Sequence, residues 1–335
     1  MKKLCIIGAL LLVAGIVLCI LGLAMEGFHM EDMVMSKLTD KTIEIAEDFS
    51  NIRIDTNTTD VIVSLSQDDS CHILCRETQL QPHTARAENG TLILQQENYR
   101  KWYHYISINS GTPRVEIQLP KEEYESFTMD GNTGDVVISK DLSFADVKID
   151  CSTGEVDVQS QVKKTLAIEL STGDILVSGV SCERLEARTS TGNIRILDVN
   201  CKDLTGESNT GGQLLENVQA TENIQLSCST GSIHFTRGSC RNLTVETSSG
   251  RQTMEYVVAS GDVRMQSKTG NIRLTDFDGG TISLSATTGN VTGTVLSQKI
   301  FLAQTNTGRV EVPRCTSGGT CEITTDTGDI IIQLA

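Results

Sequence analysis

Three acidic residues, Asp135, Glu155 and Asp174, occupy the same position in consecutive segments of the chain, and each directly follows a glycine. If these segments are stacked strands, their carboxylates lie about 4.8 Å apart, the spacing between neighbouring strands. A hard cation such as Ca²⁺ could bridge oxygen ligands held in this way. Later in the chain the same position holds other residue types: Asn193, Gly212, Ser232 and Arg251. The pattern therefore favours a solvated face, and a metal site is the weaker alternative.

Histidine, the commonest general base, is scarce, and His234 alone lies in the regular part of the chain. A single histidine without a recurrent partner is more often a surface residue than a base. The sequence contains no phosphate-binding glycine loop, nucleophile elbow or paired-histidine metal motif. These features predict that the protein is not an enzyme and needs no cofactor. The alternative is a lyase or hydrolase acting on polysaccharide, which would need several Asp or Glu side chains to converge in a groove.

One short stretch combines aromatic and cationic side chains, a composition that suits binding to a carbohydrate, a lipid headgroup or another protein. It contains the only tryptophan of the chain. The competing interpretation is that the rings fill the core of a small cap. The candidate binding residues are Tyr99, Arg100, Lys101, Trp102, Tyr103 and Tyr105.

The eleven cysteines do not form the pattern of a disulfide framework. Cys182 and Cys201 share one repeat position, so they are expected to stack in adjacent coils within disulfide reach. Cys151 and Cys228 occupy a position otherwise filled by small or apolar residues, which predicts core packing.

The elements that position all these residues are defined by a recurring glycine. Neighbouring members are 19 or 20 residues apart, and ten of the eleven follow a threonine. A period of this length is typical of solenoids, in which each repeat stacks on the next. Glycine permits a positive φ at a turn, so these residues are predicted to be structural turns. They are Gly134, Gly154, Gly173, Gly192, Gly211, Gly231, Gly250, Gly270, Gly289, Gly308 and Gly328.

Apolar residues alternate on both sides of each glycine, as in Leu166, Ile168 and Leu170 before Gly173 and Ile175 and Val177 after it. Period-2 alternation indicates strands with one face turned inward. Each repeat is therefore predicted to be one coil, a strand, turn, strand and return loop, that pairs in parallel with its neighbours. The predicted fold is all-β, a parallel single-stranded β-solenoid of 19–20-residue coils.

The amino terminus predicts a membrane anchor. Residues 1–3 form a basic cytoplasmic stub, and the uncharged run 4–25 is long enough to cross a bilayer. Lys2 and Lys3 before it and acidic residues after it place the remaining chain outside the cell, as a single-pass cell-membrane protein. A cleaved signal peptide is the alternative.

The exported part is predicted to have three regions. Residues 26–42 form a stalk, 43–120 a small β-cap with one diverged coil that carries Thr59 in the glycine position, and 121–335 a solenoid of eleven repeats. The last coil ends abruptly without a polar cap. An uncovered coil exposes apolar side chains and unpaired backbone. It is therefore expected to contact something, and self-association is one option.

The formal net charge of −15 at pH 7 limits the partners. An acidic surface repels phosphate backbones and anionic lipid headgroups, so nucleic-acid binding is not expected. Cationic partners are attracted.

The sequence resembles a bacterial family of membrane-anchored "putative adhesin" proteins of unknown function. The likeness rests on the short basic start, one apolar span, the cap ending in VEIQLP, and the repeats NTGDVVI, STGEVDV and STGDILV. It covers the chain from about residue 43 to the end. The resemblance implies a β-helix, and in some members a role in the Lia-type response to cell-envelope stress. It supplies no catalytic residues.

Together these features predict a non-catalytic surface protein whose solenoid is an adhesin-like binding scaffold. Expected partners are a cell-envelope component, a cationic peptide or another surface protein. A role in sensing envelope stress or antimicrobial peptides is the finer version implied by the resemblance.

Overall fold

The computed structural model describes residues 2–25, 38–100 and 111–335. In these ranges the chain forms one helix, α1 (Lys2–Met25), and one continuous sheet of 27 strands. The strands are β1 (Thr39–Ile45), β2 (Asn51–Thr58), β3 (Asp60–Leu65), β4 (Cys71–Glu77), β5 (His83–Glu88), β6 (Thr91–Gln96), β7 (Arg114–Leu119), β8 (Glu123–Thr133), β9 (Val136–Ile138), β10 (Ser143–Thr153), β11 (Val156–Val158), β12 (Gln161–Thr172), β13 (Ile175–Ser178), β14 (Arg184–Thr191), β15 (Ile194–Cys201), β16 (Asp203–Thr210), β17 (Gln213–Ala220), β18 (Asn223–Thr230), β19 (Ile233–Cys240), β20 (Asn242–Ser249), β21 (Gln252–Thr269), β22 (Ile272–Thr288), β23 (Val291–Val295), β24 (Lys299–Thr307), β25 (Val310–Glu311), β26 (Gly319–Thr327) and β27 (Ile330–Leu334).

The helix coincides with the predicted anchor. Its described side chains are those at position 8 and positions 11–22. Over the part of the chain that the structure describes, no helix is both long enough and apolar enough to cross a membrane. The transmembrane anchor stays a prediction from sequence. Most of the predicted stalk lies outside the described residues, and its last residues belong to β1.

The glycines form a single column, as predicted, and their role goes beyond the turn. Gly211 has a φ of +134°. A Cβ on this residue would lie 1.9 Å from the carbonyl oxygen of Gly192 in the preceding coil. The backbones of successive coils therefore approach so closely at this corner that no side chain fits between them. Glycine is required both by its φ and by this contact.

The strands on both sides of the glycine column pair in parallel and in register, which confirms the predicted solenoid. In β12 and β14, Leu166 pairs with Leu185 and Ile168 with Ala187. The inward side chains of all coils merge into one core, and most of them are fully buried. Because each coil contributes the same few inward positions, the core is thin and needs few aromatic residues.

The predicted return loop is wrong in the middle of the solenoid. There the second strand passes through a residue with a positive φ and continues, so β15 runs from Ile194 to Cys201 through Asp198. This second corner lies six residues after the glycine. Because the chain stays extended on both sides of it, each of these coils has three extended sides in place of two strands and a loop. Asp and Asn tolerate the left-handed region better than most residues. The column consists of Gly179, Asp198, Asn217, Arg237, Tyr256 and Asp276.

At the amino-terminal end, the order of the coils in space differs from their order in the chain. The diverged coil β2–β3 is confirmed as a coil, because it pairs in parallel with β8–β9. On its other side it pairs with β6–β7, which come later in the sequence. The array therefore begins before residue 121. Antiparallel strands cover its first coil: β5 lies against β6, β4 against β7, and β1 against β4.

At the carboxyl-terminal end the same reversal occurs. The last coil of the sequence, β26–β27, pairs with β22–β23 on one side and with β24–β25 on the other. The expectation that this last coil is uncovered is therefore wrong. After β23 the chain passes over the position of the next coil and forms β24–β25 beyond it. It then turns back, and β26–β27 occupy the position between the two coils. The outermost coil is β24–β25, which we call the tail coil (residues 299–311).

A buried ion pair holds this crossover. The Lys299 Nζ lies 2.8 Å from Asp278 Oδ1, and the two side chains are only 6% and 20% exposed. Lys299 also donates to the Ser297 hydroxyl. Burial opposes ionisation of Asp278, but the hydrogen bonds from Lys299, Ser297 and the Gly279 N–H outweigh it and lower the pKa of the carboxyl. The pair links the first residue of the tail coil to β22, the strand that β26 separates from β24.

We expect Gly211→Ala to lower the free energy of unfolding by more than about 2 kcal/mol, since it combines a disfavoured φ with a backbone clash. Gly179→Ala is the matched control, because Gly179 has a φ of +68° but no atom within 4 Å of an added Cβ. It should cost only about 1 kcal/mol. Urea unfolding measures both. Equal losses would show that the close approach of the coils is unimportant.

We expect Lys299→Met to cost about 3 kcal/mol, because it leaves the Asp278 carboxylate without its buried partner. The loss should appear first as faster hydrogen exchange in β24–β27. Lys163→Met, which breaks an exposed ion pair with Glu123, should cost less than about 1 kcal/mol. Unchanged exchange in these strands would contradict the assigned role of the pair.

Candidate functional site

The predicted aromatic binding segment is only partly within the described residues. Tyr99 is 60% exposed, and its N–H donates to the Leu80 carbonyl at 2.8 Å. The Arg100 N–H donates to Asn98 Oδ1. Lys101, Trp102, Tyr103 and Tyr105 lie outside the described residues, so this binding site stays a prediction.

The acidic residues after the glycines stack as predicted, and Asp135 and Asp174 take part in a hydrogen-bond ladder. Asp135 Oδ1 accepts the N–H of Glu155 at 2.8 Å, and Asp174 Oδ1 accepts the N–H of Asn193 at 2.7 Å. The Asn193 side chain continues the ladder to Gly212. At this corner the side-chain oxygen of one coil satisfies the backbone N–H of the next. Among the described residues, Asp135, Glu155 and Asp174 do not gather into a group of metal ligands.

A buried cluster in the cap brings three potential metal ligands together, within the part of the chain that is described. One donor atom each from Cys75, Glu77 and His83 lies within 4.8 Å of the others. His83 Nδ1 is 2.9 Å from Glu77 Oε2, and its Nε2 is 3.1 Å from the hydroxyl of Thr59. The Lys41 ammonium donates to the His83 carbonyl and lies 4.0 Å from Glu77 Oε1.

The chemistry of this cluster is structural. Burial raises the pKa of the Cys75 thiol to about 12, so it is protonated and a poor nucleophile. Burial lowers the pKa of His83, so its ring is neutral, donating from Nδ1 to Glu77 and accepting at Nε2 from Thr59. Cysteine, histidine and carboxylate are ligands that zinc uses. Here, however, the Glu77 carboxylate already compensates Lys41 and binds His83, so the contacts tie the cap to the diverged coil β2–β3, which carries Thr59.

One sign of this network is visible in the sequence. Thr59 stands where later coils have glycine, and its hydroxyl is the partner of His83. The side chains of Glu77 and His83 come from a non-repeating segment, and no spacing in the sequence relates them to Thr59.

An open groove runs across five successive coils, and we call it the polar trough. It has a volume of about 410 Å³, and its rims are residues four and two positions before each glycine. A smaller groove of about 180 Å³ adjoins it around Arg188 and Ser190. The rim residues of the trough are Glu207, Asn209, Ser227, Ser229, Glu246, Ser248, Gln266, Lys268, Ser285 and Thr287.

Two buried glutamines lie behind the trough. The Gln213 amide donates to the carbonyl of Ser227 at 2.7 Å, and the Gln252 amide donates to the carbonyl of Gln266 at 2.6 Å. Gly206 leaves room for Gln213, since a Cβ there would lie 2.8 Å from its Oε1. Sequence reasoning missed this feature. Its signal was glutamine in an inward position that is usually Ile or Val.

The trough is polar and mixed in charge. Arg188 pairs with Glu207 at 3.3 Å and with Glu186 at 2.6 Å, and the hydrogen bond to Glu186 chiefly raises the pKa of its guanidinium. Glu246 forms no ion pair with any other described residue. The two glutamates are on coils two layers apart, about 10 Å, with Ser227 between them. The arrangement can bind an extended polar chain through hydroxyls, amides and carboxylates.

The cysteines whose side chains are described are all free. Cys182 and Cys201 lie in adjacent coils, where the N–H of Cys182 donates to the carbonyl of Asn200. Burial raises the pKa of both thiols to about 12. Cys151 and Cys228 are buried in the core, as predicted.

Comparison with known proteins gives one family and several similar folds. The family model described as Toastrack DUF4097 matches residues 49–237 and 230–335. No curated protein matches the chain.

Three of the similar solved structures are described as adhesins. A "putative adhesin" from Parabacteroides merdae ATCC 43184 is 15% identical, with 89% of this chain and 96% of that chain covered and a TM-score of 0.47. One from Parabacteroides distasonis ATCC 8503 is 13% identical, with 88% and 97% covered and a TM-score of 0.47. One from Bacteroides fragilis NCTC 9343 is 12% identical, with 89% and 97% covered and a TM-score of 0.36.

We expect the cap network to make stability depend on pH. The folded-state pKa of His83 is lowered by burial below its unfolded value near 6.5. Below that value the unfolded chain binds a proton that the folded chain does not. Stability should therefore fall with decreasing pH, by up to about 1.4 kcal/mol per pH unit, until the folded-state pKa is reached. His83→Gln keeps a donor and an acceptor and should remove this contribution.

Urea unfolding between pH 7.5 and 5 measures the effect. Glu77, Lys41 and Cys75 face the ring and are present in both proteins, so the difference between them isolates His83. His234→Gln, which removes a histidine whose side chain is 43% exposed, is the control, and His83→Gln should change the slope more than this variant does. The same slope in wild type and His83→Gln would contradict the prediction.

Proposed function

The chain belongs to the Toastrack DUF4097 family, and on that premise we propose that it is a non-catalytic, adhesin-like binding scaffold tethered to the cell membrane. The polar trough carries this proposal. It is a shallow face built by side chains of regular strands, without an inserted loop to close over a substrate. Such a face suits an elongated ligand that contacts several coils at once.

The ligand chemistry follows from the rims of the trough. The serine, threonine, asparagine and glutamine side chains of the rims offer both donors and acceptors, Glu207 and Glu246 add two negative charges against the one positive charge of Lys268, and the whole chain has a net charge of −15. A polar chain that presents hydroxyl or amino donors and positive charge matches this surface. Amino-bearing envelope glycans and cationic peptides share that chemistry, and a role in sensing antimicrobial peptides would use the second.

The tether is the uncharged run 4–25, which follows Lys2 and Lys3. With this orientation the solenoid lies outside the cell, where envelope glycans and peptides are found. Flotation of the full chain with lipid vesicles tests the tether. A chain that is released from vesicles by alkaline carbonate would contradict it.

We expect the double variant Glu207→Gln with Glu246→Gln to bind a cationic peptide about tenfold more weakly, because two charge-assisted hydrogen bonds to the peptide are weakened. A tenfold change corresponds to about 1.4 kcal/mol of binding free energy. Binding of the full chain to immobilised peptide and to amino-bearing glycan measures this. Weakening in the glycan arm alone would assign the trough to glycans. Glu125→Gln with Glu183→Gln removes the same charge at exposed positions outside the trough and is the matched control.

Equal loss in both double variants would show that only net charge matters, and it would overturn the trough as the binding face. Incubation with polysaccharide tests the non-catalytic part. Release of new reducing ends or unsaturated sugars, abolished by Glu207→Gln, would instead favour an enzyme.

A further inference from the structure

The tail coil leaves one strand of the solenoid without a partner. β24 pairs with β26 on one side, and β25 pairs with β27. No described strand pairs with their other side. In a strand, alternate residues direct N–H and C=O groups to opposite edges, so half of the backbone groups of β24 face an open edge. An open edge is a template for another strand.

Apolar side chains are concentrated at this edge. Ile300, Leu302 and Val310 are 42%, 57% and 43% exposed. On the inward side, Phe301 and Ala303 pack against the core but are only half-buried, because no further coil covers them. The core of the solenoid is therefore open at this end.

Charge distinguishes this edge from the edges at the other end. From Ile300 to Gly308 the tail coil carries no charged residue, although the chain as a whole has a net charge of −15. At the amino-terminal end the outer strands β1 and β5 carry charges such as Asp40, Arg86 and Glu88. Charged edge strands resist pairing with another chain. The tail edge lacks this protection.

We infer that the tail coil pairs with the tail coil of a second copy of this chain, with the two β24 strands antiparallel about a two-fold axis. In the register centred on Ala303, Phe301 lies opposite the partner's Thr305 and Leu302 opposite the partner's Gln304. Directly opposed residues point to the same face, so the inward side chains of both copies form one continuous core. Lys299 lies opposite the partner's Thr307, and no like charges meet along β24.

The same geometry limits the assembly to two copies. A two-fold contact uses the same surface of both chains and is closed. Further growth would need the edges of β1 or β5, which are charged. A second copy fits this edge because β24 opposes itself in this register without like charges meeting, and because the half-buried Phe301 and Ala303 of the two copies cover each other.

The tail coil is the end of the solenoid farthest from the cap. In the proposed function, on which this step rests, the run 4–25 that precedes the cap in the sequence tethers each copy to a membrane. Tail-to-tail pairing then joins chains anchored in two facing membranes, which is homophilic adhesion.

The self-association is tested with the full chain in detergent by sedimentation equilibrium over a concentration series. We expect a monomer–dimer equilibrium whose dissociation constant rises at least tenfold in Ile300→Lys with Leu302→Lys, because the added charges of two copies meet across the axis. Tyr256→Lys with Val258→Lys is the matched control. It changes exposed apolar residues of an interior coil, where Val258 is paired on both sides, and it should leave the dimer unchanged.

A wild-type chain that stays monomeric, or equal weakening in both lysine variants, would overturn the inference. Dimerisation through α1 would persist in the Ile300→Lys with Leu302→Lys variant and would overturn it too. The register is tested independently by Ala303→Cys. Mild oxidation should link two copies through this residue, since directly opposed Cβ atoms are about 5 Å apart. Absence of a link while the wild type dimerises would reject the antiparallel register.

Full chains reconstituted in vesicles test the bridging of membranes. We expect vesicles that carry wild-type protein to cluster, as measured by light scattering, and those that carry Ile300→Lys with Leu302→Lys to stay dispersed. Vesicles that hold protein but never cluster would reject bridging. Failure of the chain to float with vesicles would reject the tether of the proposed function, while the sedimentation result would still decide the dimer.

Discussion

The contact between successive backbones at the glycine corner is the constraint on which the structure depends. The carbonyl oxygen of one coil occupies the space where a Cβ of the next coil would be. Because this contact recurs at each glycine of the column, it fixes the register between these coils, and the register places equivalent side chains in columns. The core, the ladder that follows the glycines and the polar trough are all such columns.

The same regularity does not determine the order in which the coils stack at the two ends, because coils with the same inward positions can stack on one another in more than one order. At each end the chain skips a layer and returns, so the first and last coils in space are not the first and last in sequence. Each reversal carries a buried polar contact that repeats nowhere else among the described coils. His83 binds Thr59 and Glu77 at one end, and Lys299 binds Asp278 at the other. Buried polar groups are costly when unpaired, so such contacts discriminate between alternative stackings of similar coils.

The sequence predicts what repeats and misses what occurs once. The spacing of Gly173 and Gly192 and the alternation around them establish the coil, the parallel pairing and the core. The segments around Gly308 and Gly328 have the same pattern, so their order in space cannot be read from it. The positive-φ corner was missed because Asp198, Arg237 and Tyr256 share a backbone conformation without sharing a residue type. The trough depends on Gln213 and Gln252, single departures from an apolar column, which only packing explains.

The two proposed binding surfaces follow from one physical fact, that a regular array of coils without inserted loops forms no deep pocket. It presents only faces and ends. A face repeats the same chemistry every 4.8 Å or so, which suits a ligand that is itself long and polar. An end presents unpaired backbone, and its chemistry depends on whether charges block it. Here the cap blocks one end with charged antiparallel strands, whereas β24 at the other end carries no charge after Lys299, on a strongly acidic molecule. The net charge of −15 disfavours contact between copies in general, and the stretch from Ile300 to Gly308 carries no charge that adds to this repulsion. The asymmetry between the ends thus gives the solenoid a direction, and the pairing proposed for its tail coils is the kind of contact that adhesion between two identical surfaces requires.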